Sequence, residues 1–79
     1  MSTPLLQYIS GEEVHAGDRI QFKELYGTVV FVNHGESEES QPGYEDNSGR
    51  EPGVVICDDD GETSDVGLPN EYLSFLGRA

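Results

Sequence analysis

The sequence predicts one small all-β domain, a barrel of five or six short strands with one enlarged loop. The chain has 79 residues, which is enough for a single domain spanning residues 1–79 but leaves it a thin core. Short apolar runs, some alternating with polar residues, recur between Gly, Asp and Pro. No apolar pattern of helical period reaches the length of an ordinary helix.

The first two strands are predicted on either side of Gly27. In residues 19–22 apolar side chains alternate with polar ones after the turn residues 16–18, which is typical of a half-buried strand. Residues 28–32, TVVFV, form a continuous β-branched and aromatic run. Such a run predicts a central strand that is covered on both faces.

The later elements are shorter. Residues 54–57, VVIC, form a second apolar run that ends at three aspartates. Asp60-Gly61 predicts a hairpin turn, because a tight turn needs positive φ, and polar residues 62–66 are the returning strand. One helical turn at residues 70–72 and a closing strand at residues 74–76 complete the expected elements.

Residues 33–51 are predicted to be a long acidic loop. This stretch, NHGESEESQPGYEDNSGRE, contains one aromatic residue, Tyr44, and no aliphatic residue. Loops of more than about 12 to 15 residues are uncommon in compact domains and are usually functional or disordered. Tyr44 has no core to join in such a loop, so we expect it to anchor an interface. The remaining aromatics divide between core and half-exposed positions: Tyr8, Phe22, Phe31 and Phe75 in the first group, Tyr26 and Tyr72 in the second.

Negative charge dominates the composition. Sixteen Asp and Glu face four Lys and Arg, a net charge of −12, and residues 36–65 alone hold eleven acids against one arginine. Such a surface repels phosphate backbones and anionic lipids, so we expect neither nucleic acid nor membrane binding. It attracts a basic protein partner. A purely solubilising surface is the other interpretation of the same charge.

The residues expected to contact a basic partner come from the acidic loop and from the predicted hairpin turn. They are Glu36, Glu38, Glu39, Tyr44, Glu45, Asp46, Asp58, Asp59, Asp60 and Glu62.

The three consecutive aspartates do not match a calcium-binding EF-hand. If Gly61 takes the sixth position of such a loop, Ile56 falls at the first and Gly67 at the twelfth, where oxygen ligands are required. Weak cation binding by residues 58–60 stays open. Acid–base catalysis by paired carboxylates requires a desolvated pocket, which a turn in a small domain does not offer.

Cysteine and histidine complete the candidate chemistry. Cys57 ends an apolar run and is expected to pack as a small core side chain. His15 and His34 each lie near a turn glycine and are expected to be exposed, and the three spacings do not form a zinc pattern. We therefore expect no enzyme activity, no metal and no cofactor. One cysteine and an amino-terminal segment without the features of a secretory signal favour a cytoplasmic protein.

Residues 14–32, VHAGDRIQFKELYGTVVFV, resemble the opening of SH3-like barrels of the KOW and Tudor type. In those domains a turn containing Gly-Asp precedes the first strand, and a glycine precedes a second, strongly apolar strand. Gly17-Asp18 and Gly27 occupy these places here. The resemblance implies an SH3-like barrel.

A second resemblance covers residues 8–78. The order YISGEEVHAGDRIQF, GTVVFV, PGY, GVVICDDDGE and PNEYLSFLGR is similar to a group of small acidic bacterial proteins of polymorphic toxin systems. Members of this group act as immunity proteins, so the resemblance implies a non-enzymatic protein that binds and inhibits a cognate toxin. Two alternatives stay open: an adaptor module for an unrelated basic protein, and a KOW-like domain associated with RNA.

Overall fold

A computed structural model describes residues 6–35, 37–44, 52–68 and 70–78 of the chain. This part of the chain contains six strands and no helix, and therefore no helix that could cross a membrane. The strands are β1 (Asp18–Phe22), β2 (Leu25–Asn33), β3 (Glu38–Ser40), β4 (Gly53–Asp58), β5 (Thr63–Val66) and β6 (Leu73–Arg78).

All six strands lie in one antiparallel sheet with the order β5-β4-β2-β1-β6, and β3 also pairs with β2. The prediction of an all-β chain with five or six strands is confirmed. Within the described residues β5 and β6 do not pair, so the sheet is not closed.

Strand β2 is the centre of the sheet. One of its edges pairs with β4 from Gly27 to Asn33. Its other edge pairs first with β1, through residues 25–28, and then with β3, through residues 31–33. The register with β4 shifts between Val29 and Phe31, a bulge that bends a strand and increases its twist. Because β2 bends, it can pair with two different strands, β1 and β3, along the same edge.

Burial around β2 matches the prediction of a strand covered on both faces. All four residues from Val29 to Val32 are buried. Val29 and Val32 belong to the main core with residues from the other strands. Val30 and Phe31 join Val55 in a second, smaller cluster, against which Tyr44 and Cys57 pack. In β4 the alternation is regular, since Val54 and Ile56 point to the main core while Val55 points to the second cluster.

Residues 6–14, called the N-terminal loop below, cover one part of the main core. Tyr8 and Val14 are buried among the strand residues, and the backbone N–H of Val14 donates to the carbonyl of Leu6 at 2.9 Å. The Tyr8 hydroxyl donates to the buried carboxylate of Asp18 at 2.8 Å. The loop is therefore tied to the start of β1.

The aromatic residues predicted for the core are found there. Tyr8 and Phe31 are buried, and Phe22 and Phe75 pack against the main core. The centroids of the Tyr8 and Phe75 rings are 5.2 Å apart. Tyr26 is 50% and Tyr72 is 55% exposed, as predicted.

Two local predictions are wrong. Residues 33–51 are not one continuous loop, because β3 lies within them and pairs with the edge of β2 that β1 leaves open; residues 45–51 lie outside the described part. Residues 70–72 do not form a helical turn. The backbone N–H of Tyr72 donates to the side-chain Oδ1 of Asn70 at 2.8 Å, which holds a simple turn before β6.

Gly27 allows β2 and β4 to approach closely. A Cβ atom added at this position would lie 2.5 Å from the carbonyl oxygen of Cys57 and 2.9 Å from Cα of Asp58. Both atoms belong to the backbone of a paired strand, so neither can move away without disturbing the ladder.

We expect Gly27→Ala to lower the free energy of unfolding by about 1–3 kcal/mol, the usual cost of forcing extra volume into a packed site. Urea unfolding monitored by tyrosine fluorescence measures the change. Gly67→Ala is the matched control, since an added Cβ there meets nothing within 4 Å, and we expect a change of less than about 0.5 kcal/mol. Equal losses in the two variants would contradict the close approach at Gly27.

Candidate functional site

The predicted contact residues divide into two groups at opposite ends of β2. Glu38 and Glu39 lie in β3, paired with Asn33 and Val32. The second group, called the turn acids below, follows the other end of the ladder, where Asp58 pairs with Gly27. Gly27 and Asn33 are six residues apart in an extended strand, a span of about 20 Å.

The turn acids are Asp58, Asp59, Asp60 and Glu62. The predicted contacts Glu36, Glu45 and Asp46 lie outside the described residues. Among the described residues, the predicted contact acids therefore lie in two separate regions of the fold.

Asp58 builds the turn that carries the other three acids. Its Oδ1 accepts the backbone N–H groups of Asp60 and Glu62, each at 3.0 Å. The N–H of Gly61 donates to the Asp58 carbonyl at 2.9 Å, and Gly61 has φ of 92°. The predicted hairpin turn at Asp60-Gly61 is confirmed. An aspartate that bonds to the backbone two residues ahead is a common way to stabilise such a turn.

Asp59 forms an ion pair with β1. Its carboxylate oxygens lie 3.1 and 3.3 Å from Nη1 and Nη2 of Arg19, and Nη1 also donates to Oγ1 of Thr28. The hydrogen bonds that Arg19 donates to Asp59, and the negative charge of that carboxylate, raise the pKa of Arg19. Both side chains are exposed, so the pair adds little to stability. It does hold Asp59 against the sheet.

Asp60 and Glu62 differ from the other turn acids. Both residues are exposed, and their carboxylates make no hydrogen bond or ion pair with the part of the chain that the structure describes. Tyr26 lies beside them, since its backbone carbonyl accepts the N–H of Asp59 at 3.0 Å. Two carboxylates with no partner in the described chain and one half-exposed aromatic ring therefore share this end of β2.

Glu39 lies between two histidines. Its Oε2 is 3.0 Å from Nδ1 of His15 and 3.1 Å from Nε2 of His34. The side chain of His34 is only 2% exposed, and that of His15 is 32% exposed. The prediction that both histidines are exposed is wrong: His34 is buried because the N-terminal loop and β3 both contact it, and His15 is half-buried.

The tautomer of His34 follows from its contacts. The backbone N–H of Leu6 donates to Nδ1 of His34 at 3.0 Å, so Nδ1 carries a lone pair and no proton. The neutral ring must then hold its proton on Nε2, from which it donates to Glu39. A metal ion bound at Nε2 would move that proton to Nδ1, where the Leu6 N–H already points. The described residues contain no group of three or more His, Cys, Asp or Glu side chains that could hold a metal ion.

The surroundings of Glu39 shift its titration. Partial burial raises the pKa of this carboxyl, but hydrogen bonds from His34 and His15 lower it by more, so that the pKa lies below its ordinary value of 4.5. Glu39 is thus held as a carboxylate by contacts within the fold.

Tyr44 has a core to join, contrary to the expectation from its polar loop. It is half-buried and packs against the second cluster of Val30, Phe31 and Val55. A hydrogen bond with Cys57 raises the pKa of the Tyr44 phenol. Cys57 packs against the same cluster, as predicted for a small core side chain. That Tyr44 contacts a partner stays a prediction.

Comparisons with protein-family models, curated proteins and solved structures found no match to this chain.

We expect Asp58→Ala to lower the free energy of unfolding by about 1–2 kcal/mol, because two backbone N–H groups lose their acceptor. Asp58→Asn is the matched control, since its side-chain oxygen still accepts both bonds, and we expect about half the loss or less. Chemical denaturation of the three proteins measures the difference. Equal destabilisation by Asn and Ala would show that the charge of Asp58, and not its acceptor oxygen, holds the turn.

Stability should depend on the ionisation of Glu39 in acid. Since the folded pKa lies below 4.5, the stabilising contribution is complete above that pH and is lost as the pH falls through the folded value. We expect the free energy of unfolding to fall more steeply below pH 4.5 in the wild type than in Glu39→Gln. Denaturant unfolding at a series of pH values tests this, and parallel pH profiles would contradict it.

Proposed function

We propose that this protein is a non-enzymatic immunity protein that binds a basic bacterial toxin through its acidic surface and blocks it. The observation that carries the proposal is the net charge of −12 in a domain whose turn acids include two carboxylates with no partner in the described chain. The inference that the basic partner is a toxin rests on the resemblance of residues 8–78 to small acidic immunity proteins.

The turn acids are the better contact surface of the two acidic regions. Glu39 bonds to two histidines, Asp58 holds the turn and Asp59 pairs with Arg19. Asp60 and Glu62 are exposed beyond them. Charged groups of this kind speed association with an oppositely charged partner, and the effect weakens as salt is added.

Tyr26 offers an aromatic side chain near the acidic groups, and such a side chain can contribute binding energy that exposed carboxylates do not. Interfaces take most of their binding energy from a few residues, with Tyr and Arg over-represented among them. Tyr26 is half-exposed, and its backbone carbonyl accepts the N–H of Asp59. An arginine or lysine of the toxin bound at this end of β2 could therefore meet both a carboxylate and an aromatic face. Tyr26 therefore joins Tyr44 as a candidate anchor.

We further propose that the strand arrangement is SH3-like. Support comes from the bulged strand β2, which pairs with β1 and β3 in succession on one edge and with β4 on the other. A turn at residues 16–17 precedes β1, which begins at Asp18, and this order is similar to that of the SH3-like domains that the sequence resembles.

The proposal is tested by growth protection. The chain is coexpressed with the product of a neighbouring gene that stops growth when it is expressed alone, and we expect wild type to restore growth. Asp60→Asn with Glu62→Gln should weaken toxin binding about 2- to 30-fold at low ionic strength, which is the cost of two exposed charge pairs. Surface plasmon resonance at about 50 and about 200 mM salt measures the binding.

Glu24→Gln with Glu71→Gln is the matched control. These two exposed acids lie in turns on the β1 and β6 side of the sheet, whereas the turn acids lie on the β4 side. The two turns are joined by the bond from the Lys23 N–H to the Tyr72 carbonyl. The control removes the same charge, so it should leave the affinity within about twofold. Equal loss in both pairs would mean that only net charge matters. Binding of a basic protein without growth protection would favour the adaptor function instead, and binding of RNA at physiological salt would favour the KOW-like function.

A further inference from the structure

The N-terminal loop is fastened to His34, the residue that follows β2, by a bond that depends on the protonation of this histidine. The backbone N–H of Leu6 donates to Nδ1 of His34 across 28 residues of sequence. Further along the loop, Val14 donates back to the Leu6 carbonyl, and Tyr8 bonds to Asp18. The Leu6 end therefore has its own attachment, separate from that of Tyr8.

We propose that His34 is an acid-sensitive latch for the N-terminal loop, which opens from its Leu6 end when the buried imidazole takes up a second proton. The neutral ring can accept at Nδ1 because its proton lies on Nε2. A second proton must bind at Nδ1, which converts that atom from acceptor to donor. The Leu6 N–H and the new Nδ1–H would then face each other, and the bond is lost.

The groups around His34 favour uptake of this proton on one side and oppose it on the other. Glu39 of β3 faces Nε2 at 3.1 Å, and its negative charge stabilises the protonated ring. The ring of His15 lies 6.4 Å away between centroids, and a positive charge on it would oppose a charge on His34. Glu13 lies 3.4 Å from Nε2 of His15 and offsets part of that charge.

Opening would uncover part of the main core. Leu6 packs against the core from the side, and Val14, whose N–H is tied to the Leu6 carbonyl, has 0% exposure. Imidazole is the side chain whose charge ordinarily changes between about pH 5 and 8, and the latch is tested over this range. The latch requires no partner and is independent of the proposed toxin binding.

The test is amide hydrogen exchange followed by NMR between about pH 7.5 and 5, with rates corrected for intrinsic exchange. At neutral pH the ring nitrogen spectrum should show His34 protonated on Nε2. As His34 takes up its second proton, we expect protection of the Leu6 amide to fall about tenfold or more, the cost of one lost buried hydrogen bond. The Val14 amide should follow, while the Gln41 amide, which donates to Val30, keeps its protection.

Three variants test whether the loss of Leu6 protection is caused by protonation of His34. His34→Asn places an oxygen acceptor near the position of Nδ1 and cannot be protonated, so Leu6 should stay protected throughout. Glu39→Gln removes the charge that favours the protonated ring, so opening should move to lower pH. His15→Asn removes the other titrating ring and should leave the opening in place.

Several results would overturn the latch. These are a neutral His34 with its proton on Nδ1, unchanged Leu6 protection after the ring has taken up its second proton, or loss of the opening in His15→Asn. Failure of His34 to protonate before the β2 amides lose protection would overturn it as well. If His34→Asn does not fold, the shift in Glu39→Gln still decides the question.

Discussion

Strand β2 is buried on both faces and paired along both edges, and the position of every other element depends on it. Val29 and Val32 contribute to the main core on one face, while Val30 and Phe31 join the second cluster on the other. The bulge between Val29 and Phe31 turns the strand so that β1 and β3 share one edge. A domain of this size has little apolar surface to bury. Because β2 contributes buried side chains from both faces, a few residues of one strand take part in both apolar clusters.

Attachments distant in sequence complete the domain where the apolar core is thin. His34, next to the end of β2, accepts a hydrogen bond from Leu6 of the N-terminal loop and bonds to Glu39 of β3. This one side chain therefore links the two segments. Asp18 receives the Tyr8 hydroxyl at the start of β1. These are buried or half-buried polar contacts, and each replaces bonds to water that the separated groups would otherwise make. Polar side chains thus perform part of the work that apolar packing performs in larger domains.

The elements with local patterns could be predicted from the sequence, and those fixed by distant partners could not. Residues 28–32 carry a β-branched run, and Asp60-Gly61 carries the chemistry of a tight turn, so both were predictable. Strand β3 contains Glu38 and Glu39, residues that disfavour strands, and it forms because β2 offers a free edge. Burial of His34 has no local sign, since its neighbours are Asn33 and Gly35. The acids could be identified as a surface, but their division between two ends of β2 depends on the strand register.

In the turn that Asp58 organises, the groups that hold the backbone are distinct from the two acids that we propose as partner contacts. The geometry of this turn depends on the Asp58 carboxylate, on backbone N–H groups and on the positive φ of Gly61, and on no side-chain atom of Asp60 or Glu62. Substitutions at those two positions therefore leave the hydrogen bonds of the turn unchanged. Two positions at the tip of the turn can therefore carry other side chains while the backbone of the sheet and turn keeps its geometry.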